Sequence, residues 1–226
     1  MLETHGGTLR VVLADDHLLV REGIKRVLSA ASDIQVGAEA GDGHEVLQAL
    51  RAQVAEVAVV DLSMPGLSGM EMIRRIKTEF PRVGLLVLTM HAEEQYALRA
   101  FRAGANGYLT KDSAADDLVR AIRKVASGGG FVTPSLAERL AVSLNGLHEA
   151  PPHTLLSDRE FEVLRHLVAG ERLTDIGETL HLSVKTISTH KSRILEKMQL
   201  DSMAALVRYA IEHQLFDTQE TPSDSL

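Results

Sequence analysis

An α/β domain followed by an all-α domain is the fold class predicted for this chain of 226 residues. Three observations predict it. Continuous apolar runs alternate with helix-length amphipathic stretches up to about residue 127. After residue 155 the pattern is helical only. Between the two lies NGLHEAPPH (145–153), with the proline, glycine and polar content of a linker.

The strands are read from LRVVLA (9–14), IQVGAEA (34–40), VAVV (57–60), LLVL (85–88) and GYL (107–109), of which the second and fifth are the weaker. Continuous rather than alternating runs indicate strands covered on both faces. Amphipathic stretches near 18–30, 44–53, 69–79, 93–103 and 114–126 are the helices between them. Five strands alternating with five helices predict a doubly wound, five-stranded parallel sheet over 9–127, with right-handed crossovers. GGG at 128–130 breaks the rhythm and opens a linker, 128–153, with room for a short helix near 135–144. The second domain is expected over 154–216. Ser157 and Glu160 form a capping-box signature before VLRHLVAG, and Gly170 stands where a C-terminal cap belongs. A short helix is expected near 174–181, a longer one over 184–198 capped by Ser183, and a last one over 202–214 capped by Asp201 or Ser202. The polar, acidic tail 217–226 reads as disordered.

Composition removes several function classes. Hydrophobic residues make up 45% and charged residues 24%, ordinary for globular protein. Zero cysteines exclude disulfides, thiolate zinc sites and cysteine nucleophiles. No apolar run approaches the roughly 20 residues of a bilayer span, and MLETHGGTLR has no secretory pattern. A cytoplasmic protein without membrane contact is therefore expected. The net charge of −7 means that nucleic-acid binding would rest on a local basic surface. Aromatics at 4%, with no tryptophan, argue against a stacking platform for single strands. Neither GxxxxGK[ST] nor HExxH occurs, and the ten histidines show no metal-ligand spacing.

The first domain carries a carboxylate cluster. Asp15 and Asp16 directly follow the first apolar run, Asp61 the third and Thr89 the fourth, and Lys111 lies two residues beyond the fifth. In a parallel sheet all these strand ends lie on one edge, where ligands of open α/β sheets bind. One such aspartate alone is usually a turn or cap residue; DD, D, T and K at four matching strand ends form a set. Three carboxylates together repel unless a cation neutralises them, and all-oxygen ligands suit Mg²⁺. A carboxylate there can attack a phosphoryl group and form an acyl phosphate, with metal and lysine stabilising the transferred oxygens. His17 and His91 flank the site and read as structural or tuning residues rather than ligands.

LADDH (13–17), VVDLSMPGLSG (59–69), LTMH (88–91) and GYLTKD (107–112) together resemble the receiver domain of bacterial two-component response regulators, over roughly 9–127. The resemblance implies that Asp61 accepts a phosphoryl group from a sensor histidine kinase. It implies that Asp16 and Asp61 bind Mg²⁺ directly, Asp15 through water, with the backbone carbonyl of Ser63 completing the site. Lys111 would pair with phosphoryl oxygens, and Thr89 and Tyr108 would be the switch pair. Pro65 and Gly66 would shape the loop after the nucleophile.

In the second domain LSVKTISTHKSRILEKM (182–198) sets Lys185, Lys191, Arg193 and Lys197 against Glu196 alone, a net charge of +3 in an acidic chain. Helical phase puts Val184, Ile187, Ile194 and Met198 on one face as a core stripe. Lys185, Ser188, Thr189, Ser192 and Glu196 lie opposite, and Lys191 points closer to the core. By phase alone this is either a solvated face or a face that reads a DNA major groove. LSDREFEVLRHLVAG, DIGETLHLSVKTISTHKSRILEKM and AALVRYAI together look like the four-helix, helix-turn-helix output domain of NarL/FixJ (LuxR-type) regulators, over about 155–215. That resemblance implies that helix 184–198 enters the groove of double-stranded DNA. The expected DNA-contact set is Lys185, Thr186, Ser188, Thr189, Lys191, Ser192, Arg193 and Lys197. The last helix would be the surface of a homodimer formed on phosphorylation, and contact with RNA polymerase is a further expectation. Leu206, Tyr209, Ala210 and Leu215 offer an apolar stripe for that surface, or equally a domain core. ERLTD after Gly170 departs from the family pattern. Asp175 replaces a positive charge, and Gly177 stands where Ala is usual, at about 1 kcal/mol of helix propensity.

The expected function is a transcription regulator switched at Asp61, not an enzyme beyond its own Mg²⁺-dependent phosphorylation and dephosphorylation. A phosphatase with an aspartyl intermediate would need a second carboxylate in Asp61-Leu62-Ser63 and a cap-sized insertion, and has neither. The alternative is a constitutive DNA-binding regulator whose receiver serves only protein contacts.

Overall fold

The computed structural model describes residues 8–67, 69–90, 94–113, 115–145, 151–213 and 215–216. They fall into two compact units, Met1–Val142 and Ser143–Leu226. The expected tail 217–226 and His91 lie outside the described residues.

The first unit runs β1 (Leu9–Ala14), α1 (Leu18–Leu28), β2 (Ile34–Ala40), α2 (Gly43–Ala52), β3 (Val57–Val60), α3 (Gly69–Glu79), β4 (Gly84–Thr89), α4 (Glu94–Ala103), β5 (Gly107–Thr110) and α5 (Ala115–Ala126). All pairings are parallel, in the order β2-β1-β3-β4-β5. Val11, Leu13, Val57, Val59, Leu86, Leu88 and Leu109 pack in one cluster with Leu28 of α1 and Leu118, Ala121, Ile122 and Val125 of α5. The alternate strand residues are buried too, with α2 against β1 and β2 and α4 against β5. Burial on both faces is why these strands read as continuous apolar runs. A fully buried Val or Leu stabilises by about 1.5–3 kcal/mol.

The two weak runs are the two edges. β2 shifts register between Val11 and Val12 of its neighbour, skipping Gly37, and is buried only at Ile34 and Ala40, with half-buried and exposed positions alternating between them. β5 is flanked by the segment after α5. The Tyr108 amide donates to the Phe131 carbonyl at 3.0 Å, and the Phe131 amide to that of Asn106 at 3.0 Å, a parallel bridge at Gly107 that covers the edge. The glycines 128–130 therefore do more than end the rhythm. Gly128, at φ +82°, closes α5 while the Gly129 amide donates to the Lys124 carbonyl, a C-terminal cap that turns the chain back to the sheet. Helix α6 (Pro134–Asn145) follows.

In the second unit a 3₁₀ turn, Pro152–Leu155, occupies part of the stretch expected as linker. Its buried His153 shares a 2.8 Å hydrogen bond with the Tyr209 hydroxyl. Four helices follow: α7 (Asp158–Val168), α8 (Leu173–Thr179), α9 (Val184–Lys197) and α10 (Met203–Glu212). The Ser157–Glu160 capping box is formed, Ser183 caps α9, and Ser202 rather than Asp201 caps α10. Phe161, Leu164, Ile176, Ile187, Ile194, Met198, Leu206, Ala210 and Leu215 are the buried centre.

The packing corrects the core stripe expected on α9, decides between the two readings of the α10 stripe, and gives Gly177 a steric role. Val184, the first residue of α9, is 46% exposed and not in the core stripe. Leu206, Ala210 and Leu215 are domain core, so the open apolar face of α10 is instead Met203, Val207 and Ile211, beside Leu167. Gly177 is not merely a weak helix former. A Cβ there would stand 2.7 Å from the Leu182 carbonyl oxygen, to which the turn between α8 and α9 brings it. In that turn the Leu182 amide donates to the Gly177 carbonyl at 2.8 Å, and His181 takes φ +53°, a left-handed conformation that costs a non-glycine residue about 1–2 kcal/mol.

Candidate functional site

Strand register builds the acidic pocket. Ala14 pairs with Val60, so the next residues, Asp15 and Asp61, are neighbours, and the Asp61 amide still donates to the Ala14 carbonyl at 2.9 Å. Thr89 pairs with Thr110, and the Lys111 amide donates to the Thr89 carbonyl at 2.9 Å. Because β2 and β3 lie on opposite sides of β1, the pocket stands at the point where the strand order reverses, the crevice where open α/β sheets bind ligands.

Asp15, Asp61 and Thr89 are buried. The Lys111 ammonium lies 2.6 Å from Asp15 Oδ2 and 2.7 Å from Asp61 Oδ2. Burial draws its pKa down, but hydrogen bonds to Asp15 and Asp61 outweigh that and hold it above the usual lysine value. The second oxygen of Asp15 accepts from the His17 amide at 2.8 Å, and that of Asp61 from the Ser63 amide at 3.2 Å. Arg21 Nη1 donates to the Asp15 carbonyl at 2.5 Å and its Nε to Glu39 at 3.3 Å, fixing the β1–α1 loop. His17 Nδ1 lies 2.9 Å from Asp16 Oδ1 and 3.4 Å from Asp15 Oδ1, and ligand atoms of Asp15, Asp16 and His17 all fall within 4.8 Å of one another. Tyr108 is wholly buried within the packed layer.

On α9, Lys185, Ser188, Thr189, Ser192, Arg193 and Lys197 are exposed, and Thr186 and Lys191 are half-buried. The Thr189 hydroxyl donates to the Lys185 carbonyl and that of Ser192 to the Ser188 carbonyl, leaving their lone pairs outward. Lys197 differs from the other cations: its ammonium lies 2.6 Å from Glu160 Oε2 on α7. His190, between these helices, was not singled out from sequence; burial pushes its pKa down, and its Nδ1 is buried without a hydrogen-bond partner.

The family model for the response regulator receiver domain matches residues 11–123. The chain belongs to the response regulators. The model for bacterial regulatory proteins of the luxR family matches 154–210 of this response regulator. Response regulator UvrY of Escherichia coli K12 is 33% identical over 95% of this chain and 99% of its own length. Oxygen regulatory protein NreC of Staphylococcus haemolyticus is 37% identical over 92% and 100%. Among solved structures, RcsB of Salmonella typhimurium is similar with a TM-score of 0.70, 30% identity and coverage of 91% of this chain and 98% of that one. RcsB bound to promoter rprA in the presence of the phosphomimetic BeF₃⁻ is similar with a TM-score of 0.67, 30% identity and coverage of 90% and 98%. As a two-component response regulator, the chain joins a receiver to a LuxR-type DNA-binding domain that regulates transcription.

Among the described residues, no helix is long and apolar enough to cross a membrane.

Proposed function

We propose that Asp61 is the phosphoacceptor through which a sensor histidine kinase controls dimeric, sequence-specific DNA binding. The supporting observation is one ammonium, that of Lys111, shared between two buried carboxylates at the strand-order reversal. A carboxylate oxygen of Asp61 attacks phosphorus, the bond from phosphorus to the kinase histidine breaks, and an acyl phosphate forms. Lys111 then pairs with phosphoryl oxygens. Asp15, Asp16 and Asp61 against Lys111 alone leave two negative charges, a set suited to a divalent, oxygen-seeking ion. Asp15, Asp16, Asp61 and the Ser63 carbonyl would hold Mg²⁺, which supplies charge neutralisation to the transferred phosphoryl oxygens. The Thr89 hydroxyl would move to a phosphoryl oxygen and, with Tyr108 as the second member of the switch pair, bias a two-state equilibrium of the receiver.

For output, α9 enters the major groove and its exposed hydroxyls and cations meet bases and phosphates. The open face of α10, Met203, Val207 and Ile211 with Leu167, supports pairing of two copies on two half-sites. The regulator acts in the cytoplasm, contacts RNA polymerase at its promoters, and catalyses only its own phosphorylation and dephosphorylation.

Intact-mass measurement after incubation with acetyl phosphate tests the chemistry. Wild type with Mg²⁺ is expected to gain one phosphoryl group, and EDTA or Asp61→Asn to abolish the gain. An equal gain in Asp61→Asn would remove Asp61 from the role.

A further inference from the structure

We infer that the first turn of α7 clamps α9 at both ends, Arg159 through the Leu180 carbonyl and Glu160 through Lys197, and so sets the pose in which α9 meets DNA. The inference rests on the reading of α9 as the groove helix and changes the role of Lys197 within it, from phosphate contact to positioning residue.

Glu160 is almost wholly buried, at 3% exposure. Its Oε2 accepts from the Ser157 amide at 2.7 Å, the Ser157 hydroxyl at 2.8 Å and the Lys197 ammonium at 2.6 Å. Burial raises its pKa, but Lys197 and Ser157 outweigh that and hold it below the usual carboxylate range. A buried carboxylate that loses its cation is strongly destabilised. Lys197 is therefore bound to α7 and would leave an unpaired buried charge if it moved to a phosphate. Among the described residues, Lys185, Lys191 and Arg193 on the same helix pair with no carboxylate, which marks Lys197 as the exception.

The other end is held by Arg159. Its Nη2 donates to the Leu180 carbonyl at 2.5 Å while Nη1 meets Glu162 at 2.6 Å. Leu180 closes α8, immediately before His181 at φ +53°, so Arg159 grips the turn that launches α9. Lys197 is the last residue of α9. One turn of α7 thus touches the chain just before α9 begins and again where it ends. A helix tied at both ends keeps its tilt and rotation, and base readout depends on both.

The test uses the full chain, phosphorylated with acetyl phosphate and Mg²⁺, and two probes: a duplex enriched from a randomised pool by the wild-type protein, and its scrambled counterpart. Binding is followed by fluorescence anisotropy against salt for Lys197→Met, Glu160→Gln, the double variant and Lys185→Met. Gln can still serve the capping box, so Glu160→Gln removes the charge and keeps the helix start. The clamp predicts that Lys197→Met and Glu160→Gln each lower the preference for the enriched duplex by roughly fivefold to tenfold, and that the double variant is no worse than Lys197→Met. Affinity for the scrambled duplex and the salt slope stay at wild-type values in Glu160→Gln and the double variant, neither of which strands a buried carboxylate, whereas Lys185→Met reduces the slope by about 0.9. The clamp is overturned if Lys197→Met reduces the slope as Lys185→Met does and weakens both duplexes equally while Glu160→Gln is silent. It is equally overturned if neither variant changes the preference. A wild-type protein that enriches no duplex removes DNA reading itself, and the clamp with it.

Discussion

Replacing Lys111 with methionine should lower the stability of the receiver by about 3 kcal/mol, because it leaves buried carboxylates without their cation. For a unit of this size that is a fall in Tm of roughly 10 °C. Asp15 and Asp61 both bond to the same ammonium, whose side chain is only 10% exposed, so solvent screens little of the loss. The sign of the pH dependence follows from the raised pKa of Lys111. Its contribution is fully present below the unfolded lysine value and is lost as pH rises through the higher folded value. The deficit of the variant is therefore complete at pH 8, where calorimetry in EDTA measures it. Mg²⁺ should restore part of the loss by replacing the missing positive charge. An unchanged Tm in EDTA would mean that the shared ammonium does not hold the pocket together.

Phe161→Ala is expected to unfold the output domain while leaving the receiver chemistry intact. Phe161 is completely buried, with its ring centroid 5.4 Å from that of Phe216. Removing such a ring costs about 3–5 kcal/mol, comparable with the whole stability of a domain of some sixty residues. Calorimetry should show the loss of one transition, anisotropy the loss of DNA binding, and intact mass an undiminished phosphoryl gain at Asp61. Loss of the phosphoryl gain in this variant would tie the receiver chemistry to a folded output domain.

Much of this molecule was legible in its sequence because its signals are local. The inner strands are buried on both faces, so VAVV and LLVL read as unbroken runs, and the residues after them necessarily fall on one sheet edge. Caps were legible for the same reason: Ser157, Ser183 and Ser202 bond within three residues of themselves. What was missed depends on partners distant in sequence. Phe131 pairs with β5 through backbone groups that carry no side-chain signature. Val184 fits the helical phase of a core residue, but phase does not tell how far a helix end is covered. The stripe on α10 was open to two readings, and the packing of Leu206 and Ala210 chose the core. The tie between Glu160 and Lys197 spans 37 residues, and each has an adequate local explanation, a capping box and a basic groove helix. His17 was placed beside the pocket from sequence, but its approach to Asp16 depends on a loop conformation set by Arg21 and the Asp15 carboxylate.

Phosphorylation of Asp61 is expected to raise DNA affinity. The most direct measurement is anisotropy on a duplex enriched by the phosphorylated wild-type protein, comparing wild type with Asp61→Asn, each with and without acetyl phosphate and Mg²⁺. The donor is expected to tighten wild-type binding by at least about tenfold, or 1.4 kcal/mol, and to leave Asp61→Asn at the unstimulated level. Binding by Asp61→Asn as tight as that of the phosphorylated wild type, or a wild type indifferent to the donor, would contradict it.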